Sequence, residues 1–256
     1  MREDTNRKPM KEIQRILSQV RRAVADYDMI QEGDRVCVGV SAGKDSLTLL
    51  IALAELRRFY EKKYTLCAAT VDLGFKGADY SEIEELCRRL NVEYKVVPTQ
   101  IGKVVFDIRK ENNPCSLCAK MRRGALHAAA KEMGCNRVAL GHHFDDTIET
   151  FMLNLFFEGR IGCFSPVSYL SNTELYLIRP MIYVPEKTVR YFANKAELPV
   201  AASKCPANGN TERENMKQLL RQLEKDNKGL RHRIFGAIQR GNVDGFKEVG
   251  RLPNDD

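Results

Sequence analysis

Between residues 35 and 178, short apolar runs alternate with longer segments of helical periodicity. The runs are residues 35–40 (RVCVGV), 64–71 (YTLCAATV), 92–97 (VEYKVV), 137–141 (RVALG) and 175–178 (LYLI). They are β-branched or apolar without a solvent-facing alternation, as strands covered on both faces are. Helix-length segments separate them at 45–62, 81–90, 116–133 and 146–158, and Ser81/Glu84 and Asp146/Glu149 stand at capping-box spacing. The pattern predicts an α/β fold, a doubly wound, mostly parallel five-stranded sheet with right-handed crossovers. Ligands of such sheets bind at the carboxyl ends of the strands, so the loops after the first, second and fourth runs should carry the chemistry.

The flanks read as helical extensions. Ile13, Ile16, Leu17, Val20 and Val24 recur at helical spacing and define an apolar face that packs on the domain or on a partner, leaving a homodimer open. Residues 185–196 form a helix with Pro185 near its start, followed by an irregular stretch around Lys204-Cys205-Pro206. Two basic helices, 212–226 and 230–240, come after it. The expected division is an extension at 1–29, a nucleotide-binding domain at 30–206 and a basic extension at 207–256.

At 256 residues the chain suits one large domain with appendages, and 43% hydrophobic residues are enough to bury a core. No run approaches the roughly 18 apolar residues of a membrane helix, and residues 1–11 are too polar for a signal peptide, so a cytoplasmic protein is expected. Eight cysteines then read as thiols in a reducing compartment, and clustered ones become metal or catalytic candidates. Forty-one Lys and Arg against thirty-four Asp and Glu give a net charge of +7. That excess favours a polyanion such as nucleic acid, with a solvated basic surface as the plain alternative.

The first strand runs directly into Ser41-Ala42-Gly43-Lys44-Asp45-Ser46 and then an apolar helix. Small residues let backbone amides approach an anion, the helix supplies its positive end, and Lys44 adds a counter-charge. It is not a Walker A loop, because three residues rather than four separate Gly39 from Gly43 and Asp45 follows the lysine. The segment resembles the S-G-G-x-D-S pyrophosphate loop of the N-type ATP pyrophosphatases, with Ala42 in place of the first glycine. An ordinary turn capped by Ser41 is the alternative.

Two further segments carry candidate chemistry. Cys115-x-x-Cys118 places two sulfurs where they can share a metal or a cluster iron, or act as a redox pair, and Cys205 is the one later cysteine in a loop-like setting. Cys37 and Cys67 lie in strands and Cys87 on a helix, where burial explains them. Gly141-His142-His143-Phe144-Asp145-Asp146 follows the fourth strand, so Gly141 and His142 should face the crevice of Lys44. Asp45 and Asp146 are candidate Mg²⁺ ligands, though Asp146 equally suits helix capping, and Asp145 is the better chemical candidate. Asp72, after the second strand, is either a nucleotide contact or part of a simple turn.

Taken together, Pro114-Cys115-x-x-Cys118-x-x-x-Arg122-Arg123-Gly124, Gly141-His142-His143-x-Asp145-Asp146 and Cys205 resemble the tRNA 2-thiocytidine synthetase family, over roughly residues 13–206. The resemblance implies an enzyme that adenylates the C2 oxygen of a pyrimidine in tRNA and replaces it with sulfur. It implies ATP, Mg²⁺ and a [4Fe-4S] cluster on Cys115, Cys118 and Cys205 with one iron open to sulfur, delivered by a cysteine desulfurase. It also implies a nucleotide site at Ser41, Gly43, Lys44, Asp45, Ser46, Asp72, Gly141 and His142, with Asp145 and Lys44 in catalysis. Zinc-finger cysteine pairs, common in relatives that thiolate uridine, are absent from both ends, which favours cytidine. Lys120, Arg122, Arg123, Arg231 and Arg233 are candidate tRNA contacts, with surface solubility as their other reading. Two other classes stay open: a cluster-free pyrophosphatase of the lysidine-synthetase kind, and a non-enzymatic nucleotide-binding or iron-sulfur sensor.

Overall fold

A computed structural model of the chain describes residues 9–109, 114–201 and 212–249. Its centre is a sheet in the order β3-β2-β1-β4-β6-β5. The strands are β1 (Arg35–Gly39), β2 (Thr65–Asp72), β3 (Glu93–Pro98), β4 (Arg137–Ala139), β5 (Val167–Leu170) and β6 (Leu175–Ile178). All neighbours pair in parallel except β5 with β6. The strand order reverses between β1 and β4, and sheets of this kind bind ligands in the crevice beyond the carboxyl ends at that switch point.

The sheet therefore has six strands rather than the five expected. The missed strand, β5, is a short edge strand of sequence VSYL with no fully buried residue, so neither continuous apolarity nor a strong alternation marks it. Its Tyr169 pairs with Tyr176 of β6 at 4.8 Å between ring centroids.

Helices cover both faces of the sheet. They are α1 (Pro9–Asp26), α2 (Lys44–Leu56), α3 (Ser81–Arg89), α4 (Pro114–Glu132), α5 (Phe144–Phe157), α6 (Glu186–Lys195), α7 (Glu212–Asp226) and α8 (Leu230–Arg240), with a π-helical segment at Lys103–Arg109 that periodicity does not anticipate. The apolar face of α1 is spent inside the chain: Ile13, Ile16, Leu17, Val20 and Val24 are all buried, with α1 against α2 and α6. On the other face, Leu126 and Ala130 of α4 join Cys37, Cys67, Val71 and Val138 in a second core.

Helix starts differ from expectation where capping chemistry was misjudged. Helix α3 is capped by Tyr80, with Ser81 as its first helical residue and the Ser81 N–H donating to Asp79, so the Ser81/Glu84 box does not form. Helix α5 opens two residues early. His143 is its N-cap and Asp146 closes the reciprocal pair, in place of an Asp146/Glu149 box. At the amino ends of the strands, the Asp34 carboxylate accepts from Arg137 and Asn136, tying the entry of β1 to β4 far from the crevice.

Candidate functional site

The loop after β1 is organised by Ser46. Its hydroxyl donates to the Gly43 carbonyl and accepts from the Ser41 amide, both at 3.0 Å, and lies 3.2 Å from the Ser41 hydroxyl. Gly43 is the N-cap of α2 and provides no side-chain cap, so the alternative of a turn capped by Ser41 is not what the loop adopts. The helix thus presents its positive end beside Lys44. Ala42 holds a left-handed conformation, φ 59°, while its carbonyl accepts from the Ala201 amide.

The loop after β4 is packed against this turn. A Cβ at Gly141 would lie 3.1 Å from Asp45 C and Ser46 N, so glycine is what lets the two loops touch. His143 Nδ1 accepts from the Asp146 amide at 3.3 Å, and the His143 amide donates to Asp146 Oδ2 at 2.9 Å. Asp146 Oδ1 takes Arg213 at 3.2 Å, so both oxygens are engaged, whereas Asp45 keeps a buried Oδ1 without a hydrogen-bond partner. Of the two proposed Mg²⁺ ligands, Asp45 is the freer. His142 stacks on Phe164 and accepts from Arg179 at 3.3 Å. Burial, with Arg179 nearby, brings its pKa down to about 4, so it is neutral at physiological pH.

Asp145 is held rather than open. Its Oδ2 accepts from the Glu186 amide at 2.7 Å and its Oδ1 from Arg231 at 2.5 Å. Arg231, a candidate tRNA contact, therefore reaches into the molecule with its side chain only 15% exposed, while Arg233 stays exposed and caps the α7–α8 turn at the Lys228 carbonyl. Lys120 and Arg123 on α4 are exposed and Arg122 is half-buried. Asp72 forms a turn by accepting from the Gly74 amide at 2.9 Å, and Tyr80 approaches the same oxygen at 3.3 Å.

Residues that the motifs did not reveal complete the crevice. Glu186, in the first turn of α6, is 9% exposed; its Oε1 meets Lys44 at 3.2 Å and Arg190 at 3.0 Å, and its Oε2 meets Lys217 at 3.2 Å. Burial opposes its ionisation, but these cations win and hold its pKa at about 2. Lys44 loses solvation too, yet Asp45 and Glu186 raise its pKa. Glu149, one turn below Asp146, is fully buried with both carboxylate oxygens unpartnered, and burial pushes its pKa up to about 7 against the pull of Lys217. For Glu186 the sequence signal was an acid just after Pro185, at the start of a helix that follows a strand, and Glu149 stood out only as half of the expected Asp146/Glu149 box.

The cysteines separate into two groups. Cys115 is exposed and Cys118 half-buried on the first turns of α4. Leu126 of the same helix lies where a side chain on Gly39 would be, so Cys115, eleven residues earlier, stands about 16 Å further along, past the carboxyl edge of the sheet. Two soft thiols on one helix turn, one open to solvent, fit an iron-sulfur cluster. Cys205 lies outside the described residues. Sequence reasoning missed a second group: Cys37 and Cys67 are in register on adjacent strands and meet Cys135, with Cys67 and Cys135 Sγ at 3.2 Å. Among the described residues this trio is the one set of three or more side chains able to share a metal ion. It is buried within the second core, remote from any open position for substrate.

Comparison with known proteins agrees with this geometry. The pattern of the PP-loop domain matches residues 10–223. The tRNA-cytidine(32) 2-sulfurtransferase of Citrifermentans bemidjiense is 40% identical over 88% of this chain and 89% of its own length. That of Geobacter sulfurreducens is 39% identical over 90% of each. Among solved structures, the U34-tRNA thiolase NcsA from Methanococcus maripaludis with its [4Fe-4S] cluster superposes with a TM-score of 0.75 and 26% identity, covering 91% of this chain and 79% of the thiolase. With its phosphate loop at the switch point and relatives matched over nearly the whole length, the chain belongs to the PP-loop family, among the tRNA-cytidine(32) 2-sulfurtransferases.

Proposed function

We propose that the protein is an ATP-dependent tRNA sulfurtransferase that replaces the C2 oxygen of a cytidine, position 32 in its relatives, with sulfur. The observation that carries the reading is a phosphate loop of this family at the carboxyl end of β1, in a chain whose α4 opens with a solvent-facing Cys115-x-x-Cys118. A carbonyl oxygen is a poor leaving group, and transfer of AMP from ATP converts it into a good one with release of pyrophosphate. Gly43 and Ser46 cradle the phosphates through backbone amides, Ser41, whose amide is held by Ser46, adds its hydroxyl, and Lys44 neutralises charge on them. Asp45 is the proposed Mg²⁺ ligand, and Asp72, Gly141 and His142 border the nucleotide. Asp145 stays in catalysis through position: with both oxygens engaged, it fixes the start of α6 and Arg231.

Cys115, Cys118 and Cys205 are the proposed holders of the [4Fe-4S] cluster, which when bound supplies an iron site that delivers sulfide to the activated carbon. The sulfur comes from the persulfide of a cysteine desulfurase in this reading, reduced by two electrons from a thiol reductant to the sulfide level, in a cytoplasmic setting; no described helix is long and apolar enough to cross a membrane. A homodimer would need a surface other than the buried face of α1. The division at 29/30 and 206/207 belongs to the same proposal, with Lys120, Arg122, Arg123 and Arg233 facing tRNA. Nucleoside mass spectrometry of tRNA from a deletion strain tests it: 2-thiocytidine should disappear and return with the wild-type gene, and unchanged thionucleosides would refute the substrate.

A further inference from the structure

We infer that helix α7 completes the triphosphate site, with Lys217 and Arg213 as phosphate ligands that Glu186 and Asp146 hold in the free protein. The inference rests on the ATP reading above and adds to it a part of the chain that carries no phosphate motif.

Lys44 and Lys217 occupy the two oxygens of one carboxylate, Glu186, each at 3.2 Å. The lysine of the phosphate loop thus has a second ammonium as its neighbour, delivered from a helix more than 150 positions later. Arg213 lies four residues before Lys217, on the same face of α7. It reaches Asp146 at 3.2 Å and the Thr150 hydroxyl at 2.9 Å, on the helix that follows the β4 loop. Lys217, its side chain 19% exposed, thus turns inward to Glu186, while Arg213 lies along the rim over α5 with 44% of its side chain exposed.

The charge balance favours exchange of partners. Three cations, Lys44, Arg190 and Lys217, share the single carboxylate of Glu186. Asp146 already accepts from the His143 amide on its other oxygen, so Arg213 is its supernumerary partner. A triphosphate brings several negative oxygens into this surplus, and Lys217 and Arg213 can turn to them while Glu186 retains Arg190 and Asp146 retains its cap. Glu186 is accordingly a competitor of the phosphates for both lysines, whereas a purely structural clamp would make it a supporter of binding.

That difference in sign is the test. Calorimetric titration of the full chain, with Mg²⁺ and α,β-methylene-ATP, whose cleavable bridge is blocked, is compared with titration by AMP. Lys217→Met and Arg213→Gln should each weaken binding of the analogue about ten-fold or more and leave AMP within about two-fold. Glu186→Gln should tighten the analogue. Lys217→Arg, which keeps the charge, should retain most of the affinity and guards against a loss caused by misfolding. Unaltered analogue binding in Lys217→Met overturns the inference, as does weakening by Glu186→Gln in step with Lys217→Met. A wild-type chain that binds neither nucleotide overturns the ATP reading itself, which a Lys44→Met variant that alone loses the analogue would uphold against this inference.

Discussion

Ala42 occupies the left-handed region at a position where glycine would be unstrained, and a Cβ there costs about 1 kcal/mol or more. Ala42→Gly should therefore raise the urea midpoint without weakening ATP, since the amides of the loop keep their places; a lowered midpoint would show that the buried methyl matters more. Glu149 gives a pH signature. A carboxyl raised from 4.5 to about 7 keeps its proton in the folded chain after the unfolded chain has lost it. Stability should fall as pH rises through that window and level off above it. Glu149→Gln should flatten the decline in thermal melts between pH 5 and 7.5, and an unchanged slope would place the titration elsewhere. Among the described cysteines, native alkylation followed by mass spectrometry should label Cys115 first, with Cys37, Cys67, Cys87, Cys135 and Cys163 protected until denaturation.

Helices and strands were legible to the degree that one local force dominates them. The bounds of α7 and α8 fall where the amphipathic pattern puts them, and α1 was visible because five apolar positions share one face. Boundaries governed by side-chain geometry were not legible: nothing in the spacing of Asp146 and Glu149 says that an imidazole three positions before the expected start of the segment takes the cap. β5 escaped because an exposed edge strand lacks the buried run that marks its neighbours. Since α1 is part of the core, Ile16→Ala should destabilise the whole domain by about 2–5 kcal/mol in urea unfolding with little change in slope. A loss well under 1 kcal/mol would mean that α1 docks only loosely.

Over the whole molecule, the contiguous motifs were readable and the convergences were not. Lys44, Gly141 and Cys115-x-x-Cys118 stand in short signatures, whereas Glu186, Arg213, Lys217 and Arg231 reach the crevice through packing of α6, α7 and α8 on α5 and α2. Part of the +7 charge is thus spent internally on Asp145, Asp146 and Glu186. If the exposed cations Lys120 and Arg123 grip tRNA phosphates, neutralising either should reduce the log–log salt slope of tRNA binding by about one. Arg231→Gln should leave that slope intact and lower the melting temperature instead, by freeing a buried carboxylate.

The direct trial of the central claim is a single-turnover assay with the anaerobically reconstituted protein, ATP, Mg²⁺, sulfide and unmodified tRNA. Nucleosides are analysed by mass spectrometry alongside AMP and pyrophosphate. One 2-thiocytidine should form with at least one AMP and one pyrophosphate, and Cys115→Ala should abolish the thionucleoside. AMP release with no thiolated base, or full thiolation by Cys115→Ala, would contradict it.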